Sequence, residues 1–209
     1  MKELNTINTL LGGHNITISG VKKILANKAS NKINKPIVIC EIGCGGGDNI
    51  IAINTWAKKN TIQVQFIGID IKAACIEVAE KACKDLAAIW MVTAFEKVQF
   101  ADKPDIIFSS LFCHHFYGAS LTFTLHWMKN NSKMGFFIND LHRNIIAYYA
   151  IKVLTKLTSK SYLVINDAPL SVARGFKKNE WVALCHTAGV SNCTIKWKWA
   201  FRHLITFSH

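Results

Sequence analysis

Proline is scarce, with three in 209 residues, and no stretch rich in proline, glycine and serine interrupts the chain. That argues against an interdomain linker, and there is no internal repeat, so residues 1–209 read as one domain. No uninterrupted apolar run approaches the roughly 18 residues expected of a membrane-spanning helix. No Cys-x-x-Cys pair occurs among the seven cysteines, at positions 40, 44, 75, 83, 113, 185 and 193. An odd and scattered set argues against a zinc site and against a disulfide framework, and no metal is expected. Reduced thiols suit a cytoplasmic protein, and residues 1–11 are too polar for a secretion signal.

Acidic residues are also few: 13 Asp and Glu face 25 Lys and Arg, a net charge of +12. The basic residues are dispersed, however, with pairs only at Lys22–Lys23, Lys58–Lys59 and Lys177–Lys178. There is no arginine-rich run, RNA-binding aromatic motif or helix-turn-helix signature, so a nucleic-acid partner is not expected. Solvated surface lysines account for most of the charge; attraction to an acidic substrate, a carrier protein or a membrane surface remains open. Half of the residues are apolar, which excludes disorder and provides for a continuous core.

The most informative segment present is residues 37–47. A short apolar run from Ile37 to Cys40 suits one buried strand of a parallel sheet, Glu41 ends it, and glycines follow at Gly43, Gly45 and Gly47. Asp48 then opens a helical stretch over 48–59. Glycines at such a turn admit positive φ and close approach of a ligand, and the helix start offers free N–H groups. A second acid, Asp70, ends the next apolar strand, where open α/β sheets place a ribose-binding carboxylate. A dinucleotide fingerprint would need glycine at position 48, and Asp48 would instead repel a pyrophosphate, which disfavours a dehydrogenase. Glu41 suits a ligand that carries a positive amino group.

The rest alternates between strands and helices. Strands are expected at 36–42, 64–70, 88–95, 105–111 and 135–139, with helices at 48–59, 73–84 and 120–130, the last capped by Ser120. A helix over 177–187 stops at Gly189, and strands at 193–200 and 203–208 form a tight antiparallel pair. Two segments fall outside this pattern. Residues 1–35 carry a turn at 11–15 and a helical stretch over 19–28. Residues 141–175 far exceed the usual connection of about 2–6 residues, with helical spacing over 144–157 and turn chemistry at Asn166, Asp167 and Pro169. Both are expected to cover the ligand edge of the sheet, the second as a substrate lid.

The pattern of Glu41, Gly43, Gly45 and Gly47 followed by Asp70 resembles the first two motifs of class I S-adenosylmethionine-dependent methyltransferases. That resemblance implies a Rossmann-like α/β fold, a seven-stranded sheet with helices on both faces and a C-terminal antiparallel hairpin. It implies S-adenosylmethionine as cofactor, held by Glu41, Gly43, Cys44, Gly45, Gly47, Asp70, Ile71, Thr93, Ala94, Ser110 and Leu111. In the family the glycine loop lies against the methionine part and the second acid holds the ribose hydroxyls. After the third strand the family usually has an acid or amide near the adenine; here Thr93 and Ala94 stand there. The run from Ser109 to Phe116, with His114 and His115, resembles small-molecule methyltransferases of ubiquinone and menaquinone biosynthesis. Blocks at 137–143, 171–176 and 199–202 resemble methyltransferases of polyketide and pigment pathways, and the likeness spans roughly residues 10–207.

Methyl transfer to oxygen or carbon needs alignment and removal of a proton, and histidine titrates in the right range. His115 is the first candidate for the base and His114 the second. Asp140 and His142 are candidates for substrate hydrogen bonding or an alternative base, and Arg143 and Arg174 for binding a carboxylate or phenolate; His14 is assigned to the substrate side. The expected acceptor is a small aromatic or polyketide-like molecule, acidic or phenolic, and the protein a monomer or homodimer. RNA or protein methylation and non-catalytic cofactor binding are the alternatives. Against them, the Pro-Pro motif of amino methylation is absent, and Cys113 lacks the proline that RNA cytosine methylation would require. The clustered carboxylates of a metal-dependent catechol enzyme are absent too.

Overall fold

The computed structural model describes residues 2–26, 35–159, 161–190 and 192–209. Its chain order is α1 Lys2–Leu10, α2 Gly13–Ala26, β1 Ile37–Ile42, α3 Asp48–Lys59, β2 Val64–Asp70, α4 Ala73–Ala82, β3 Ala88–Val92 and β4 Ile106–Ser110. There follow α5 Ala119–Asn131, β5 Gly135–Leu141, α6 Ile145–Thr158, α7 Tyr162–Arg174, α8 Lys178–Thr187, β6 Thr194–Lys198 and β7 Arg202–Ser208. The seven strands form one sheet in the order β3-β2-β1-β4-β5-β7-β6. β1 through β5 are parallel, and β7 runs antiparallel to both β5 and β6. This is the Rossmann-like sheet with a C-terminal antiparallel pair that the alternation predicts.

Each face of the sheet carries its own core, as a parallel sheet requires. On one face Ile39, Phe66, Phe108, Phe137 and Leu204 pack against Val21 and Ile24 of α2 and Ile50 and Ile53 of α3. The Phe108 and Phe137 rings stack at 4.9 Å. On the other face Cys40, Ile107, Ile138 and Ile205 meet Leu121, Leu125 and Met128 of α5 and Trp181 of α8. Each fully buried aliphatic side chain contributes about 1.5–3 kcal/mol. Gly20 lets α2 lie flat on the sheet, since a Cβ there would stand 2.4 Å from the Phe137 ring.

Several boundaries differ from expectation for physical reasons. The turn expected at 11–15 is confined to Leu11 and Gly12, and α2 begins at Gly13; residues 27 and 28 of the helix expected over 19–28 lie outside the described residues. Ser120 lies inside α5, whose cap is Gly118 at φ 53. β3 ends at Val92, and Phe95 starts a one-turn 3-10 segment over 95–97. The turn residues Asn166, Asp167 and Pro169 lie inside α7. Burial of Val164 and Val172 and packing of α7 along α6 outweigh that local preference. α6 starts on Asn144, whose side chain accepts from the Ile146 and Ala147 N–H groups at 2.8 and 3.3 Å, a cap worth about 1 kcal/mol. β5 extends two residues beyond the expected 139, because Asp140 and Leu141 pair with His203 and Arg202 of β7.

Candidate active site

β1 delivers the glycine loop at its carboxyl end. Gly43, Gly45 and Gly47 all adopt positive φ, at 67°, 52° and 79°, which is why the loop needs glycine at alternate positions. Their surroundings differ. A Cβ at Gly43 would stand 2.2 Å from the Phe112 ring, and one at Gly47 2.9 Å from Cys83 Sγ, so both are filled by the protein itself. Gly45 has nothing within 4 Å of that position and is the glycine whose face is free for a ligand. Cys44 is buried between them, and burial pushes its thiol up.

Asp70 ends β2 beside this loop. Its carboxylate accepts from the Gly45 N–H at 3.0 Å and from the Lys72 N–H at 2.9 Å. Each carboxylate oxygen keeps a further lone pair for a hydroxyl donor. Ile71, next to it, is exposed, and the Thr93 N–H donates to the Asp70 carbonyl at 3.0 Å, so Thr93 and Ala94 border the same edge. Leu111 leaves β4 at φ 53, an unusual conformation for a branched residue, held by its N–H on the Asn139 carbonyl at 2.9 Å.

Glu41 is 1 % exposed, and burial raises its pKa well above the usual carboxylate range, with the Asn49 hydrogen bond opposing. Asn49 Nδ2 donates to Glu41 Oε1 at 2.8 Å, while Oε2 has no partner among the described residues. From Asn49 a polar chain runs under α2: Thr17 Oγ1 donates to Asn49 Oδ1 at 3.2 Å, and Asn139 Nδ2 to Thr17 Oγ1 at 3.2 Å and Ser110 Oγ at 3.3 Å. The cofactor candidates Glu41 and Ser110 therefore belong to one network. His14 joins it through Asn49 Oδ1 at 3.1 Å and also meets Asn5 and Thr9, so its partners lie around the start of α3 and not at the strand-four exit.

The exit of β4 forms a one-turn segment over Cys113–His115. His114 is 2 % exposed; its Nδ1–H donates to Asp140 Oδ1 at 2.7 Å, and its backbone N–H to Asp140 Oδ2 at 2.9 Å. Asp140 was expected at a strand exit, open to substrate. It is instead fully buried within β5 and also accepts from the Leu141 N–H, so it positions His114. His115 is exposed, with its ring 4.3 Å from that of His114. Partial desolvation holds the His115 pKa below its usual 6.5, the neighbouring His114 adds to this and Asp140 opposes it. Arg174 and Lys72 add smaller contributions in the same direction as His114.

The other substrate candidates separate. Arg143 donates to the Gly175 carbonyl at 3.2 Å and to Glu180 at 2.5 Å, so its guanidinium joins the end of α7 to α8 instead of standing free. His142 packs edge-on against His203 at 4.8 Å, and its Nδ1 has no partner among the described residues. Arg202 is not among the sequence candidates. It opens β7 opposite Leu141 at the ligand edge, is 2 % exposed, and its Nε and Nη1 lack partners among the described residues. Burial lowers its pKa to about 10, so it stays charged at neutral pH. Asn139 and Arg202 lie in the blocks at 137–143 and 199–202 without being singled out there, and Asn49 lies in no block; the register of β5 and β7 and the seating of α2 bring the three to the site. Among the described residues no cluster suits a metal ion.

The chain matches the methyltransferase-domain family over residues 33–200. Among solved structures, the plantazolicin methyltransferase BpumL in complex with SAH is similar at a TM-score of 0.70 and 16 % identity, covering 100 % of this chain and 89 % of that one. Magnesium protoporphyrin IX methyltransferase ChlM from Synechocystis PCC 6803 with bound SAM is similar at 0.62 and 10 % identity, covering 98 % and 83 %. The citrinin polyketide synthase CMeT domain is similar at 0.64 and 12 % identity, covering 85 % and 47 %. No curated protein matches. The open face of Gly45 beside the Asp70 carboxylate and, among the described residues, the unpartnered Glu41 Oε2 suit the sulfonium nucleoside that such enzymes use. The match over most of its length shows that the chain belongs to the methyltransferase family, as a class I enzyme dependent on S-adenosylmethionine.

Proposed function

We propose that the protein transfers the methyl group to oxygen or carbon of a small aromatic or polyketide-like acceptor. The observation that carries this reading is the position of His115 beside the Asp140–His114 pair, at the strand exit next to the glycine loop. S-adenosylmethionine, when bound, supplies an electrophilic methyl on a sulfonium. Asp70 takes the ribose hydroxyls, the face of Gly45 and the N–H groups at the start of α3 take the methionine part, and Glu41 takes its amino group. Ile71, Thr93 and Ala94 border the adenine; Cys44, Gly43, Gly47, Ser110 and Leu111 shape the wall between donor and acceptor.

His115 accepts the acceptor's proton. Its depressed pKa keeps the imidazole neutral at pH 7, which a base requires, and general-base help contributes about 10²–10⁴-fold. His114, the second candidate, is held by Asp140 with its Nδ1 as donor, which leaves its other ring nitrogen as an acceptor toward the site. Arg174, Lys72 and the buried Arg202 make the surroundings positive, which favours an acceptor that bears a carboxylate or phenolate. The α6–α7 hairpin leaves the end of β5 and α7 packs on the segment over 113–115, while α1 and α2 flank the other side. These elements cover the acceptor, as a lid and an N-terminal cover. The similar structures are named for a plantazolicin methyltransferase with a desmethylPZN analog, a magnesium protoporphyrin IX methyltransferase and a domain of a polyketide synthase, which supports a non-nucleic-acid acceptor.

The test is incubation with labelled S-adenosylmethionine and a small-molecule extract of the host, followed by identification of the product. A labelled small aromatic or polyketide-like compound is the expected result. Label found only in RNA or protein, or cofactor binding without transfer, would overturn the reading.

A further inference from the structure

The α6–α7 hairpin presents more apolar surface than a lid needs. On α6, Ile145, Ile146, Tyr149, Val153 and Leu157 are between 57 % and 80 % exposed. At 3.6 residues per turn these five fall within an arc of about 120°. The opposite arc holds the buried Ala147 and Thr155, which face the protein. The stripe therefore faces outward. Lys152 lies at its border and the exposed Lys156 within the arc, between Ile145 and Tyr149, and residues 141–166 contain no aspartate or glutamate. Tyr162 at the start of α7 is exposed as well.

A second group of exposed apolar side chains lies on the same edge of the sheet. Arg202 opposes Leu141, so the 199–201 turn stands at the carboxyl end of β5, from which the hairpin also departs. Trp199 in that turn is exposed and lies near Gly12, and the exposed Leu10 ends α1 beside it. A helix with apolar residues on one face and lysines at and within its edge, with tryptophan nearby, has the composition of an interfacial membrane helix.

We propose that this edge of the protein, led by the exposed face of α6, docks on an anionic lipid surface. The proposal goes beyond methyl transfer and does not depend on the identity of the acceptor. The charge decides between occupants. A net charge of +12 and the absence of acids over 141–166 complement phosphate headgroups. Two copies joined through the same face would oppose lysine to lysine with no carboxylate between them.

Cosedimentation of the full chain with vesicles of phosphatidylcholine, with and without phosphatidylglycerol, tests this. Binding should require phosphatidylglycerol and weaken with salt. Neutralising Lys152 and Lys156 to Gln should weaken it by about fivefold per lysine. The double variant Val153→Glu, Leu157→Glu, at sites too exposed to disturb the fold, should lose it by tenfold or more, on the order expected of removing apolar contacts and adding charge repulsion. Val182→Glu, at an exposed site on α8, should bind as the wild type. Absence of binding to anionic vesicles, equal loss in Val182→Glu, or retained binding in the double variant would overturn the proposal. So would a dimer in analytical ultracentrifugation that the double variant dissociates, since the face would then be a subunit interface.

Discussion

Asp140 grips His114 at two points, accepting from the ring Nδ1 at 2.7 Å through one oxygen and from the backbone N–H at 2.9 Å through the other. The carboxylate thereby fixes both the tautomer and the position of the strand-four exit, and the ring of His115 rests on the imidazole it holds. Because Asp140 belongs to β5 and His114 to the segment after β4, the pair also ties two neighbouring strands together at the reacting edge.

Asp140→Asn should keep the fold and lower kcat by about 10²-fold, since the amide can no longer accept both bonds without turning an N–H toward one donor. Affinity for S-adenosylhomocysteine, measured by calorimetry, should stay within a few-fold of the wild type. Parallel loss of cofactor affinity would make Asp140 a structural residue only.

His115→Ala should lower kcat by about 10²–10⁴-fold with cofactor affinity intact. The pKa of His115 lies below its usual value in the folded protein, so the acid limb of the wild-type rate profile should fall below pH 6.5 and disappear in the variant. Wild-type activity in His115→Ala and an unchanged limb would move the base to His114.

Asp70→Ala should abolish measurable cofactor binding by calorimetry, since two charge-assisted ribose hydrogen bonds at about 1.5–3 kcal/mol each are lost. The variant also removes the acceptor for the Gly45 and Lys72 N–H groups, so the loop should loosen even without ligand. Unchanged affinity in a folded protein would sink the assignment.

Gly43→Ala and Gly45→Ala separate the two uses of glycine in one loop. The first places a Cβ 2.2 Å from Phe112 and should lower the melting temperature; the second meets no protein atom. Gly45→Ala should therefore cost only the backbone strain of about 1–2 kcal/mol in stability while cofactor affinity falls. Equal effects of both variants on cofactor affinity and on melting temperature would contradict the geometry.

His203 gives stability a pH dependence of known sign. Burial pushes its pKa from the usual 6.5 down to about 4, with His142 adding to the shift. Between those values the unfolded chain binds a proton that the folded protein does not, so stability falls as pH drops from 6.5 to about 4 and the loss is complete below that. The loss amounts to about 3 kcal/mol from this one site. Denaturant midpoints for the wild type and His203→Gln should converge at low pH, and an unaltered pH slope in the variant would count against it.

Much of the fold and of the cofactor site follows from local sequence. The apolar runs at 37–40 and 66–69 are short and unbroken by charge because both faces of a parallel strand are largely buried there, and glycines at alternate positions after β1 admit a backbone that other residues resist. Those signals locate Gly43, Gly45, Gly47 and Asp70 without any long-range information. What depends on pairing across the sheet was not legible. Two more residues of β5 became strand only because β7 lies beside them, and this turned Asp140 from an open substrate contact into the buried partner of His114. The helix across Pro169 reflects burial of Val164 and Val172 over local turn preference, and Arg143 was drawn away by Glu180, 37 residues on. Arg202 and Asn139 sit in blocks that carry the family likeness, yet nothing local singles them or Asn49 out, because register and helix seating, which tertiary packing alone decides, bring them to the ligand edge.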